Sequence, residues 1–181
     1  MGRRIRYSVA MSLDGFIADR DGGYGWITDE PAIDFERDLS KIDTLVMGRG
    51  TYETAQVNPG GLSMFEAMDI YVVSTTLKAE DVPEGTLISD DVEKAVEELK
   101  EAPGKDIWLF GGGVLFRSLL EAGLVDRVEV AVVPVLLGDG VPVLPGLAPA
   151  RDEPATAPLE LHSVESFTSG MLILKYDVPR A

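Results

Sequence analysis

Cysteine is absent from all 181 residues, so disulfides, thiol nucleophiles and thiolate metal sites are excluded together. Histidine occurs once, at His162, and the many carboxylates have no spacing that suggests a metal cage. Basic residues are scarce: 16 Lys plus Arg stand against 31 Asp plus Glu, a formal net charge of −15. That excess repels phosphate backbones and anionic lipid, which argues against nucleic acid or a membrane surface as partner. It does not forbid a small anionic ligand, because such a ligand feels a local pocket more than the whole-molecule charge. No apolar run approaches the roughly 20 residues of a spanning helix. The stretch Ile5 to Met11 is soon broken by Asp14-Gly15 and lacks the pattern of a signal peptide. A cytoplasmic protein is expected.

What is present is an ordinary globular composition, 45% hydrophobic and 26% charged. The length suits one domain spanning 1–181, and no internal repeat or linker divides it. A chain of this size buries about 70% of its unfolded surface and needs no disulfide or metal to fold.

Apolar patterning predicts strands at Ile5–Met11, Thr44–Met47, Ile70–Ser74, Thr86–Ser89, Asp106–Phe110 and Asp126–Pro134. In the last of these, Val128, Val130 and Val132 alternate with Arg127 and Glu129. Helices are predicted from Pro31 to Ser40, from about Thr51, from a cap at Asp90 or Asp91 across Val92 to Leu99, and from Val114 to Ala122. The acids between Glu93 and Glu101 read as the solvated face of their helix. Ser12 to Asp29 is a long Gly- and Asp-rich connection, a kind that is often functional. The proline-rich stretch from Pro142 to Pro158 reads as irregular, and Leu159–Phe167 with Met171–Val178 as a closing hairpin around Thr168-Ser169-Gly170. Alternating strands and helices imply an α/β fold with a mainly parallel sheet covered on both faces and an antiparallel edge.

Open α/β sheets bind ligands beyond the carboxyl ends of their strands. Three such ends carry small or polar residues: Gly48-Arg49-Gly50-Thr51, Ser74-Thr75-Thr76 and Gly111-Gly112-Gly113. Glycines between strand and helix let backbone N–H groups approach a phosphate, and the helix start adds partial positive charge. Arg49 can clamp a phosphate with its planar fork, or else serve as a surface ion-pair residue. Together the three ends favour one extended, phosphate-bearing ligand such as a dinucleotide. The Rossmann fingerprint does not fit, because Phe116 occupies the third glycine position of G-x-G-x-x-G and the motif lies late in the chain.

The residues Ser12-Leu13-Asp14-Gly15-Phe16-Ile17-Ala18, Met47-Gly48-Arg49-Gly50-Thr51-Tyr52-Glu53, Val72-Val73-Ser74-Thr75-Thr76-Leu77, Leu109-Phe110-Gly111-Gly112-Gly113-Val114-Leu115-Phe116 and Pro134-Val135-Leu136-Leu137-Gly138-Asp139-Gly140 follow in order. This series resembles the dihydrofolate reductase-like superfamily, above all the reductase domain of bacterial bifunctional riboflavin-biosynthesis proteins (the RibD C-terminal domain) and its stand-alone relatives. The resemblance implies a dihydrofolate reductase-like fold, NADPH as hydride donor, a small heterocyclic substrate of the ribosylaminopyrimidine or pterin type, and a homodimer. It places Gly48, Arg49 and Thr51 at the adenosine phosphates and pyrophosphate, and Ser74 and Thr75 near the 2′-phosphate. Gly111, Gly112 and Gly113, followed by Val114 and Leu115, fall at the pyrophosphate-side turn.

Substrate candidates are less determined. Asp14 is either a substrate-contacting or proton-relaying acid or one half of a turn with Gly15. Asp34 is either the first-helix acid of folate reductases or a solvated first-turn residue. Trp26 and Tyr24 either wall the substrate or pack on their own loop, and Phe35 either stacks on a planar ring or joins the core. His162 is expected to be an exposed strand residue without a partner, and Gly138-Asp139-Gly140 a turn. A basic residue that follows the glycine turn in some folate reductases is Val114 here, and Asp14-Gly15 belongs to the riboflavin-reductase type. The zinc signature of a deaminase needs paired Cys, so that activity is excluded. A nucleotide-binding regulator without activity is the alternative from another class.

Overall fold

A computed structural model describes residues 2–57, 60–146 and 156–179. The central sheet has eight strands. These are β1 (Ile5–Ser12), β3 (Ile42–Gly48), β4 (Asp69–Val73), β5 (Thr86–Ile88), β6 (Asp106–Gly111), β7 (Arg127–Val133), β9 (Glu160–Ser166) and β10 (Leu172–Asp177). Their spatial order is β5-β4-β3-β6-β1-β7-β10-β9. The pairings among β1 and β3 to β7 are parallel, and β10 runs antiparallel to both β7 and β9. A mixed α/β sheet with a terminal antiparallel hairpin was the sequence-based expectation, and it holds.

Among the described residues, four α-helices cover the sheet: α1 (Phe35–Leu39), α2 (Arg49–Val57), α3 (Val92–Glu101) and α4 (Gly113–Glu121). Strand alternation divides the core in two. Tyr7, Val46, Ile107 and Leu109 point to one face and pack with Val96 of α3 and Phe116 and Leu119 of α4. Leu45, Met47, Val72 and Trp108 point to the other and pack with Tyr52 of α2 and Phe65. The rings of Tyr7 and Phe116 stack with centroids 3.8 Å apart, which locks α4 onto β1.

Several boundaries differ from the expected ones. The first helix is shorter than Pro31–Ser40: Asp34 is its N-cap, accepting from the Arg37 N–H, and it begins only at Phe35. The Ser12–Asp29 connection is not wholly irregular, because β2 (Phe16–Ala18) pairs antiparallel with β8 (Val141–Pro142) inside the proline-rich stretch. Residues 147–155 of that stretch lie outside the described residues. Helix α2 opens at Arg49 rather than Thr51, directly from β3. Asp91 does precede α3, yet its side chain makes no capping bond and its φ is +42°. His162 does have a partner: its Nδ1 lies 3.0 Å from the Asp177 carboxylate, which also accepts from Arg127.

The chain order explains where a ligand crevice opens. From β1 the strands step outward through β3, β4 and β5. Strand β6 then returns between β3 and β1, and β7 continues on the far side. At such a reversal, connections leave on opposite faces and a crevice forms at the carboxyl ends. The Gly111-Gly112-Gly113 turn leaves β6 at that point.

Candidate functional site

One cavity of about 1320 Å³ opens at these strand ends and extends across the α1 and α2 face of the sheet. All ten residues assigned to a cofactor from sequence line it: Gly48, Arg49, Thr51, Ser74, Thr75, Gly111, Gly112, Gly113, Val114 and Leu115. Arg49 is the first residue of α2, and its guanidinium donates to Thr76 Oγ1 at 2.9 Å while its Nε lies 3.9 Å from Glu53. Ser74 is buried, and its Oγ accepts the N–H groups of Thr76 at 3.2 Å and Leu77 at 3.1 Å. This bend brings the Thr76 hydroxyl to Arg49. Thr76 belongs to the Ser74-Thr75-Thr76 run marked in the sequence, although no role of its own was assigned to it there.

The glycine turn is shaped by its neighbours. A side chain at Gly111 would lie 3.1 Å from Thr51 Oγ1, and its φ of +144° favours glycine in any case. Helix α4 starts without a side-chain cap, so the N–H groups of its first turn have no partner within the helix. Gly113 has a packing role: a Cβ there would sit 2.7 Å from Pro142 O and 2.8 Å from Pro145 Cδ. Gly113→Ala is expected to cost about 1–3 kcal/mol through overpacking. It should lower the melting temperature by roughly 2–12 °C, and an unchanged thermal midpoint would show that the 142–145 segment yields freely.

The other half of the cavity has a charged floor. Arg6 on β1 and Glu129 on β7 are both 5% exposed and form a two-pronged pair, Nε to Oε1 at 3.0 Å and the terminal nitrogen to Oε2 at 2.9 Å. Burial alone would lower the Arg6 pKa, but the bond and charge of Glu129, with Asp106 and Asp38, raise it instead. Lys175 on β10 stands opposite Glu129 in the strand register and reaches Asp38 of α1 at 3.5 Å. Burial opposes ionisation of Asp38. The hydrogen bond from Lys41 and the charges of Lys175, Lys41 and Arg37 outweigh it, and its pKa is lowered. Trp108 completes the floor, its indole N–H donating to Ser8 O at 2.9 Å.

Arg6, Asp38, Trp108, Glu129 and Lys175 were not picked out from sequence. A cue existed in the alternation of Arg127 and Glu129 with valines. On a strand covered on both faces, an alternating charge must find a buried partner.

The sequence-based substrate candidates divide. Phe35 and Tyr24 line the cavity, and Phe35 is 57% exposed, so it is not a core residue. Asp34 lies outside the lining and serves as the α1 cap. Trp26 also lies outside it, half-buried in its loop, with its indole nitrogen unpaired among the described residues. Asp14 is likewise absent from the lining. Its carboxylate accepts from Ser12 Oγ and from the N–H groups of Leu137 and Gly138, clamping the loop after β7 to the end of β1.

The bonds from Ser12 and Gly138 hold the Asp14 pKa down, at about 2. Because the folded value lies below the ordinary one of about 3.9, this clamp is fully present above that value and is lost as pH falls through about 2. The Gly138 amide proton should report a titration near pH 2 by NMR, whereas a midpoint near the ordinary carboxylate value would show that the clamp is not held in solution.

This sheet order, with glycine- and hydroxyl-bearing strand ends around the β6 crevice, is that of a dihydrofolate reductase-like fold. A dihydrofolate reductase from Enterococcus faecalis complexed with NADP(H) and RAB-propyl superposes with a TM-score of 0.68 at 16% identity, over 98% of this chain and 97% of that one. The model of the RibD C-terminal domain matches residues 3–173, and the chain belongs to that family. The uncharacterized protein YyaP of Bacillus subtilis (strain 168) is 32% identical over 184 residues, 96% of this chain and 94% of the relative. A diaminohydroxyphosphoribosylaminopyrimidine deaminase/5-amino-6-(5-phosphoribosylamino)uracil reductase from Thermotoga maritima superposes with a TM-score of 0.75 at 20% identity, over 98% of this chain but 57% of that one. Membership of this family supports a reductase-type function.

Proposed function

We propose that the protein is an NADPH-dependent reductase that transfers a hydride to a small planar heterocycle, of the ribosylaminopyrimidine or pterin type. The observation that carries this reading is the continuity of the cavity. A single space of about 1320 Å³ joins the glycine-lined strand ends to the charged floor. That exceeds the roughly 300–1,000 Å³ usual for one small ligand and suits two held against each other.

The residues fit the cofactor. Arg49 with Thr76, Ser74 and Thr75 offers a cationic, hydroxyl-lined seat for a 2′-phosphate. The uncapped start of α4 and the 111–113 turn offer N–H groups to a pyrophosphate. When bound, NADPH supplies the hydride that, with one proton, converts a C=N group to CH–NH and leaves NADP⁺.

The chain's own residues hold and orient. Asp38, kept ionised by its three cations, accepts a hydrogen bond from a substrate N–H rather than donating a proton. Arg6, fixed by Glu129, gives a rigid polar floor. Phe110, Trp108 and Ile173 exclude water from the ring.

The test is NADPH fluorescence on mixing, followed by loss of NADPH absorbance with pyrimidine, pterin and folate candidates. Failure to bind NADPH would overturn the reading. Binding without turnover across all three classes would make the protein a nucleotide-binding regulator instead. A homodimer is the proposed assembly, and sedimentation equilibrium at the monomer mass would refute it.

A further inference from the structure

The charges lining the cavity discriminate among heterocycles. Among the described residues, its cations are Arg6, Arg49 and Lys175, and Arg49 belongs to the strand-end half. In the other half, Asp29, Glu30, Asp38 and Glu129 outnumber Arg6 and Lys175. Neither of those two cations is available. The Arg6 fork is taken up by Glu129, with its remaining nitrogen 3.8 Å from Asp106. Lys175 lies between Asp38 at 3.5 Å and Glu165 at 3.7 Å. Arg37 and Lys41 approach the same Asp38 from outside the lining. With Glu129 and Asp38 engaged by those cations, the acids in excess are Asp29 and Glu30, and a phosphate entering this half would meet them within a molecule already carrying −15.

The outer wall is apolar instead. Met64 is 64% exposed and Phe35 is 57% exposed, and both line the cavity. Large apolar side chains left in water around a cavity mark the surface that a ligand covers.

We infer that the substrate is an uncharged or cationic heterocycle without a phosphate, its ring above the Arg6–Glu129 pair and its apolar edge against Phe35 and Met64. The inference rests on the reductase reading and deepens it. It separates this chain's substrate from the phosphoribosyl compound in the name of the Thermotoga maritima protein. Phosphate recognition in the cavity then belongs to the strand ends alone.

Two matched pairs of probes test it on the full chain: 5-amino-6-ribosylaminouracil with its 5′-phosphate, and 6-hydroxymethylpterin with its phosphate ester. Dissociation constants are read from quenching of tryptophan fluorescence, to which Trp108 in the floor contributes, with and without saturating NADP⁺. In at least one pair the phosphate ester should bind about tenfold or more weakly than its parent, the equivalent of one like-charge contact at the cavity wall. Asp29→Lys should narrow that gap at least threefold, because it replaces a lining carboxylate with a cation. Equal or tighter binding of the phosphate esters overturns the inference, as does a gap that Asp29→Lys leaves intact. If NADPH binds but no probe of either pair does, the inference falls and the reductase reading stands. If NADPH does not bind, the reductase reading falls, and the measurements without NADP⁺ still decide the charge preference.

Discussion

Glu129→Gln is expected to lower the melting temperature by roughly 6–12 °C. The guanidinium of Arg6 is nearly inaccessible, and Glu129 supplies both of its close acceptors. Glutamine keeps the shape and one acceptor oxygen but removes the charge. A buried cation is then left with Asp106, 3.8 Å away and partly exposed, and the more distant charge of Asp38. Removing one partner of a buried pair typically costs about 3–5 kcal/mol, and Asp106 keeps this case near the lower end. For a domain of this length each kcal/mol moves the midpoint by about 2–4 °C. Replacing both residues with apolar ones of similar volume, Arg6→Met with Glu129→Leu, should recover most of the loss, because no unpaired charge remains. A single variant melting within a degree or two of the parent would mean that water already reaches the pair.

Arg49→Ala should weaken NADPH binding by about 10–100-fold and leave NADH nearly untouched. A hydrogen bond to a charged group contributes about 1.5–3 kcal/mol, and a tenfold change in affinity corresponds to about 1.4 kcal/mol. Arg49 has no buried carboxylate to satisfy: its bonds are to the Thr76 hydroxyl and, loosely, to an exposed Glu53. Its guanidinium is therefore held in place yet retains donors for a phosphate. Raising ionic strength should shrink the difference between the two cofactors, since the site is open to solvent. Equal loss for NADPH and NADH would assign Arg49 to the architecture of α2 rather than to the 2′-phosphate.

The strand-end half of the cavity was legible in the sequence because its logic is local. Gly48, Arg49 and Thr51, the 74–76 hydroxyls and the 111–113 glycines each lie at the junction where a strand ends, so a linear pattern marks them. The charged half was not, because its logic is cross-strand. Arg6 and Glu129 are 123 positions apart and meet only through the β1–β7 pairing. Each alone reads as the polar, solvent-facing residue of an alternating strand. Asp34 stood out through the first-helix acid of folate reductases, but it caps α1, and Asp38 one turn on is the acid of that helix that lines the cavity. Asp14 stood out through a family motif, but its carboxylate is committed to Leu137 and Gly138, which no local pattern foretells.

The division of β1 between its two faces has an evolutionary consequence. Tyr7 faces the α4 side of the core, while Arg6 and Ser8 face the cavity. Substitutions at the even positions can retune ligand choice while leaving the Tyr7–Phe116 stack intact. Loss or gain of one residue between Arg6 and Ala10 would exchange the two sets, driving an arginine into the hydrocarbon layer and a tyrosine into the cavity. Descendants of this chain should therefore diversify by replacement along β1 and confine their length changes to the loops that join the strands.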